Sequence, residues 1–166
     1  MSLIKKILLL LIFSTSLANA ENLKKIGKFK DWEAMLLISN SEKICFAQSK
    51  PVLQSPKGLT REARLFVSFR PNDKINDEIS ATSGYEYNTQ NTIRAKSGKH
   101  KYKFNIAKDG FAWIAENKIE KKMIKTMKKG SRIMITGYNQ SGSQTIDHYS
   151  LMGFTKAYTA AKKNCS

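Results

Sequence analysis

Apolar residues recur at every second position through much of this 166-residue chain, the pattern of β-strands with one buried face. The alternation is clearest over residues 32–38, 64–69 and 101–106. The chain shows no regular alternation of strands with helices, so a parallel sheet is disfavoured and antiparallel pairing is favoured. Further strands are predicted over residues 44–46, 78–82, 92–96, 111–115, 132–136 and 145–149, with loops between them and a long Pro- and Gly-containing loop over 51–61.

Two segments carry helical spacing instead. The first follows Asn117, a predicted N-cap, with Glu120 in the capping-box position and Gly130 as the expected left-handed residue after the helix. The second covers residues 151–163. Their apolar stripes are Ile119, Met123, Ile124 and Met127 in the first, and Phe154, Ala157, Tyr158 and Ala161 in the second. The sequence therefore predicts a mainly β fold, an antiparallel β-sandwich or barrel-like domain with one internal and one C-terminal helix.

The first twenty residues have the three-part form of an export signal. Lys5 and Lys6 precede an apolar run over 7–13, and Ala-Asn-Ala at 18–20 resembles a signal peptidase site. The run is shorter than the roughly 20 residues that span a bilayer, although a retained anchor is the alternative. We expect a signal peptide over residues 1–20, export to the periplasm, with outer-membrane association as a further possibility, and a single domain over 21–166 without a transmembrane segment. Its first residues, 21–30, are predicted to be a solvated lead-in.

Export decides how the two cysteines are interpreted. In an oxidising compartment a pair such as Cys45 and Cys165 usually forms a disulfide, here one that would close nearly the whole domain. The alternatives are a reactive thiol or pairing between molecules, for which the sequence offers no Cys-x-x-Cys motif. Two cysteines and two histidines are too few for a zinc finger or an iron–sulfur cluster, so no metal and no other cofactor is expected.

The chain is strongly basic, with 29 Lys and Arg against 13 Asp and Glu, a formal charge of +16. Such a charge attracts anionic polymers, lipid headgroups and nucleic acid. Lysine dominates over arginine and no aromatic stacking set is evident, so specific nucleic-acid binding is not expected. The alternative to an anion-binding surface is a merely solvated one. An anion-binding surface requires two predicted rows of lysines to merge into one patch. These rows are Lys121, Lys122, Lys125, Lys128 and Lys129 on the helix, and Lys99, Lys101 and Lys103 on a strand.

No sequence pattern points to catalysis, because the chain lacks the nucleophile-elbow, zinc-protease, phosphate-loop and dinucleotide motifs. Asp147, His148 and Ser150 are close in sequence, but a strand would place Asp147 on the opposite face from the other two. The acidic residues over 73–78 do not match a calcium loop, and His100 is predicted to be a solvated hairpin residue. We expect a protein that binds an envelope protein, an anionic polymer or a lipid headgroup. An unrecognised envelope-polymer hydrolase or modifying enzyme is the alternative.

Several motifs together resemble the invasion-associated locus B family of exported bacterial proteins. The most specific is Ser-Leu-x-Gly-Phe at 150–154, after Asp-x-Tyr at 147–149, and the second is Cys-x-x-x-Ser-Lys-Pro at 45–51. The resemblance implies a periplasmic or envelope-associated, mostly β protein with no known enzymatic activity, and it matches both cysteines. A role in invasion is not carried over. The chain departs from its relatives at Ser-Gly-Ser, 141–143, where Arg-Gly-Thr is frequent. Gly153 and Phe154 are expected to serve close approach and core packing.

Overall fold

The computed structural model describes residues 22–39, 42–58 and 61–166, and the predicted signal peptide lies outside them. The described chain forms two antiparallel sheets, and neither closes on itself, so the sandwich alternative is the one observed. The larger sheet has seven strands, in the spatial order β1 (Asn22–Phe29), β2 (Trp32–Ser39), β3 (Glu42–Ser49), β5 (Arg64–Arg70), β6 (Ile75–Thr82), β10 (Phe111–Trp113) and β9 (Ile106–Lys108). The smaller has five, in the order β4 (Leu53–Ser55), β12 (Gln144–Ser150), β11 (Arg132–Tyr138), β7 (Ile93–Ser97) and β8 (His100–Phe104).

The two helices are α1 (Asn117–Lys129) and α2 (Phe154–Asn164). One internal and one C-terminal helix were predicted, and both are confirmed, although α2 begins three residues later than expected. Within the described residues, neither helix has the length and apolarity needed to cross a lipid bilayer.

The core is built from the inward-facing residues of both sheets together with the helices. On β5, Leu65, Val67 and Phe69 are at most 1 % exposed while the residues between them point outward, as the alternation predicts. Ile133 and Ile135 of β11 supply the facing side and belong to the same cluster. Removing this apolar surface from water is the main stabilising contribution to such a fold.

The junction between β12 and α2 explains the Ser-Leu-x-Gly-Phe motif. The Phe154 ring packs edge-on against Trp32, with 4.8 Å between centroids, and Trp32 Nε1 donates a hydrogen bond of 2.8 Å to the Ser150 carbonyl oxygen. Gly153 has a φ of +94°, and a Cβ there would overlap the Phe29 carbonyl oxygen. The expected roles of Gly153 in close approach and of Phe154 in the core are therefore confirmed.

The predicted disulfide is also confirmed. Cys45 and Cys165 are bonded across a sequence separation of 120 residues, with their Cα atoms 5.8 Å apart. Cys45 lies fully buried on β3, and Cys165 directly follows α2. The bond therefore fixes the end of the chain to the large sheet.

The prediction of a solvated lead-in over residues 21–30 is wrong for the described part of that segment. Asn22–Phe29 forms β1, which pairs antiparallel with β2 along its length, with a bulge between Lys25 and Gly27. An edge strand packs little surface and tolerates lysines, which also discourage pairing with another molecule. The low apolar content of β1 therefore gave no strand pattern. The predicted long loop over 51–61 likewise contains a short strand, β4.

The predicted N-cap of α1 is wrong, whereas Gly130 ends the helix at the predicted position but without the predicted left-handed conformation. The N-cap position is occupied by Glu116, whose side chain makes no capping hydrogen bond. Glu120 is 5 % exposed, and its Oε1 instead accepts a 2.8 Å hydrogen bond from the backbone N–H of Ile79 on β6. Gly130 adopts an extended conformation rather than a left-handed one. A Cβ at Gly130 would lie 3.1 Å from Ser97 Oγ, so glycine serves close packing there.

The buried Glu120 carboxyl should make stability depend on pH. Desolvation raises its pKa to about 7, and nearby Glu78 and Asp77 act in the same direction. A carboxyl whose pKa is higher in the folded than in the unfolded state stabilises the fold at low pH, and this contribution is lost as pH rises toward 7. The free energy of unfolding should fall by about 2–3 kcal/mol from this group between about pH 5 and pH 8.

Glu120→Gln tests this expectation, because the amide oxygen can still accept from Ile79. Urea unfolding of both proteins across the pH range measures the difference in slope. We expect the stability of the glutamine variant to decline less with rising pH. Parallel pH profiles for the two proteins would contradict the assignment.

Candidate anion-binding groove

A groove with a volume of about 970 Å³ lies between α1 and the hairpin formed by β7 and β8. Residues 97–102 of the hairpin form one wall, α1 forms the other, and residues 130–132 close one end. The walls are held together by Tyr102, whose hydroxyl lies 2.6 Å from Thr126 Oγ1 and donates a 3.3 Å hydrogen bond to the Lys122 carbonyl oxygen. At the closed end, Ser97 Oγ donates to the Arg132 carbonyl oxygen at 2.8 Å.

The charge of the groove is entirely positive. No acidic residue lines it, and none of its cationic side chains joins an ion pair among the residues that the structure describes. A concave surface of one sign focuses the electrostatic field and attracts counter-ions. The groove cations are Lys99, Lys101, Lys122, Lys125, Lys129 and Arg132, with His100 beside them.

The amphipathic character of α1 explains why its lysines reach the groove. Lys122, Lys125 and Lys129 occur at positions i, i+3 and i+7, which lie along one side of a helix. Met123 and Met127 are at most 1 % exposed and anchor the helix to the core. Burial of these apolar side chains fixes the lysine row beside the hairpin.

Like charges also face each other on the hairpin itself. In the register of β7 and β8, Lys96 lies directly opposite Lys101, and Arg94 lies directly opposite Lys103. All four side chains are exposed. Directly opposed like charges destabilise a strand pair, and a bound anion would reduce the repulsion. Of these four residues only Lys101 lines the groove, so the other three add positive charge beside it.

The structure brings together only part of the predicted lysine set. The two predicted rows merge through five residues of the groove, Lys99, Lys101, Lys122, Lys125 and Lys129. The other three do not line it: Lys103 is farther along β8, Lys121 lines two shallow depressions elsewhere along α1, and Lys128 Nζ lies 3.9 Å from the centroid of the Tyr158 ring.

Sequence reasoning missed Arg132 and the position of His100 in the groove wall. Arg132 lies only three residues beyond the end of α1. Its closeness in sequence to the helix lysines could have indicated that it lines the same groove. His100 is exposed, as predicted, and lies in the β7–β8 hairpin.

The grouping of Asp147, His148 and Ser150 does not assemble into a triad. Asp147 is fully buried and forms an ion pair with Arg61, with 2.7 Å between Oδ1 and Nη2. His148 and Ser150 lie on the other face of β12, as the strand alternation predicted. The buried Arg61–Asp147 pair was not predicted, because its members are 86 residues apart.

The acidic residues near residues 73–78 are engaged with other side chains. Asp73 and Glu78 form ion pairs with Arg70, and Asp77 accepts a 2.6 Å hydrogen bond from the Tyr158 hydroxyl. Within the described ranges, no three potential ligands are grouped to hold a metal ion.

Comparison with known proteins gives one match. Searches of curated proteins and of solved structures find none. The family model described as "Invasion associated locus B (IalB) protein" matches residues 32–162, a range that extends from β2 into α2 and contains the whole groove. The chain belongs to the invasion associated locus B family.

Proposed function

We propose that this protein is exported and acts in the bacterial envelope as a non-enzymatic binding protein, whose basic groove holds an anionic envelope component. The observation that carries the proposal is the convergence of six cationic side chains, from the β7–β8 hairpin, α1 and the start of β11, on one groove that contains no carboxylate. The export-signal form of residues 1–20 supports the location. The disulfide supports it as well, because such bonds persist mainly outside the cytoplasm.

The composition of the groove favours phosphate or carboxylate groups as ligands. Its volume of about 970 Å³ suits a lipid headgroup or a short stretch of an anionic polymer. Lysine amines bind as mobile point charges, whereas arginine imposes planar geometry. With five lysines and one arginine, the groove should select by charge density more than by the shape of the ligand.

Replacing Lys122, Lys125 and Lys129 by glutamine should weaken binding to anionic vesicles about 100-fold, because each lysine near such a surface contributes about 1 kcal/mol. Co-sedimentation with phosphatidylglycerol-containing vesicles measures the affinity. Binding of the unmodified protein should also weaken as salt is raised, since salt screens charge interactions.

The matched control is a variant with the same loss of charge elsewhere, in which the exposed Lys24, Lys43 and Lys57 become glutamine. It should lose only a few-fold in affinity through the lower net charge. Equal losses in both variants would contradict the groove as the site, and salt-independent binding would contradict the electrostatic mechanism. Competition with soluble polyphosphate distinguishes an anionic polymer from a lipid headgroup as the natural ligand. Strong displacement of the protein from the vesicles favours a polymer, and weak displacement favours a membrane headgroup.

A further inference from the structure

A band of apolar side chains crosses the side of the seven-stranded sheet that points away from the core. The register shows the continuity of the band, since Met35 lies opposite Phe46 and Trp113 lies opposite Ile106. None of its members belongs to the core cluster or packs against it, although Met35 is only 7 % exposed. We call this band the aromatic face; its residues are Leu23, Met35, Leu37, Ile44, Phe46, Phe66, Ile106, Phe111 and Trp113.

Four rings form the centre of the aromatic face. Their centroids are 6.0 Å apart for Phe46 and Phe66, 6.2 Å for Phe66 and Phe111, and 5.8 Å for Phe111 and Trp113. At its two ends, Leu23 and Ile106 are 57 % and 47 % exposed. The solvent side of an antiparallel sheet is ordinarily polar, and a contiguous apolar patch marks an interaction surface.

The smaller sheet and both helices share the core with the other side of this sheet. Trp32 contacts Phe154 of α2 from that side, as does Phe69 through Tyr158. The disulfide also joins α2 there, through Cys45. The apolar band is therefore available to an occupant from outside the described chain.

The charges around the aromatic face separate it from the basic groove. Lys25 pairs with Glu33 at 2.7 Å, and Arg70 pairs with Glu78 at 2.8 Å, so both signs are present and matched. An anionic polymer or membrane would meet carboxylates here. Two copies of this strongly basic chain repel each other least through a face whose charges balance. A two-fold contact pairs the same patch on both copies, so a patch that carries both signs can pair each charge with its opposite.

The geometry also favours a protein surface over a sugar as the occupant. The ring planes of neighbouring aromatic pairs are inclined by 66°, 43° and 33°, so the rings do not form one flat stacking platform. Seven strands at a spacing of about 4.8 Å give a sheet about 29 Å wide. With a mean strand length of about 20 Å, the whole outer face of the sheet covers roughly 600 Å². This approaches the roughly 800 Å² that each partner buries in a standard interface.

We propose that two copies of this chain associate through their aromatic faces, sheet against sheet, leaving both basic grooves free. The contact buries the four central rings, and aromatic residues are enriched at the buried centre of such interfaces. This dimer is independent of the proposed groove function, because the two surfaces share no residue.

Analytical ultracentrifugation of the full chain, expressed with its own N-terminal segment and purified from the periplasmic extract, tests the proposal. The protein should be dimeric at about 50 μM, and Phe66→Lys should raise the dimer dissociation constant at least about 100-fold. Met134→Lys is the matched control: Met134 is a half-buried strand residue on the outer side of the smaller sheet, and its replacement should leave the dimer intact. Circular dichroism checks that both variants are folded.

A cross-linking experiment keeps the proposal testable if Phe66→Lys does not fold. Ser68 lies opposite Phe46 on the aromatic face, whereas Lys96 lies on the outer side of the smaller sheet. Ser68→Cys should form a covalent dimer with a short bismaleimide, and Lys96→Cys should not. A monomer at every concentration, an intact dimer in folded Phe66→Lys, or equal cross-linking through both cysteines would overturn the proposal.

Discussion

Replacing Cys45 and Cys165 together by alanine is expected to lower the free energy of unfolding by about 4–5 kcal/mol, because the disulfide closes a long loop in the unfolded chain and so lowers its entropy. The sequence separation is 120 residues, so the cross-link restricts most of the unfolded chain. For a domain of this size the loss corresponds to a fall in melting temperature of about 10–15 °C. Denaturant unfolding with a two-state fit measures the effect.

The unmodified protein, unfolded in a reducing agent, is the control for the missing side chains. Its unfolding midpoint should match that of the double alanine variant, because both lack the cross-link. A loss below about 1 kcal/mol would mean that the bond adds little to stability. It would also weaken the case that this fold depends on an oxidising compartment.

The second large effect concerns the buried ion pair. Asp147→Ala should cost about 3–5 kcal/mol, because it leaves the Arg61 guanidinium without its partner in the interior. The Asp147 carboxylate accepts hydrogen bonds from Arg61 at 2.7 and 3.1 Å, from Gln54 at 3.0 Å and from Ser83 at 2.8 Å. Asp147 lies on β12, Gln54 on β4, Arg61 in the segment before β5 and Ser83 directly after β6, so the network joins the two sheets. Urea unfolding provides the measurement.

Glu33→Ala is the comparison for an exposed pair. It breaks the Lys25–Glu33 contact, in which the lysine side chain is 52 % exposed. Such surface pairs contribute about 0–1 kcal/mol. Equal losses in the free energy of unfolding for Asp147→Ala and Glu33→Ala would contradict the importance of the buried network. Adding Arg61→Met to Asp147→Ala should recover part of the loss, since the double variant buries no unpaired charge.

Sequence patterns predict the parts of the fold that depend on local periodicity. The alternation over 64–69 predicts β5, because one side of that strand meets the core and the other does not. The apolar stripe of Met123 and Met127 predicts the buried side of α1 for the same reason. The β1 strand was missed because an edge strand rich in lysine buries too little surface to show the alternation.

Local sequence patterns do not predict contacts between residues that are far apart in the chain. Glu120 matched a capping pattern, yet its carboxyl reaches the Ile79 N–H of β6 once α1 packs on the sheet. Arg61 and Asp147 carry no local pattern that pairs them. The groove could be predicted only in part. Its lysine rows follow from the sequence, but their convergence and the contribution of Arg132 depend on how the β7–β8 hairpin lies against α1.

Lysine-reactivity footprinting by mass spectrometry tests the groove most directly, because it localises binding without altering the protein. Acetylation of each lysine is compared with and without phosphatidylglycerol-containing vesicles. Bound anionic headgroups should protect Lys99, Lys101, Lys122, Lys125 and Lys129, while the exposed Lys24, Lys43 and Lys57 keep their reactivity. Protection spread evenly over all exposed lysines, or confined to those outside the groove, would contradict the proposed site.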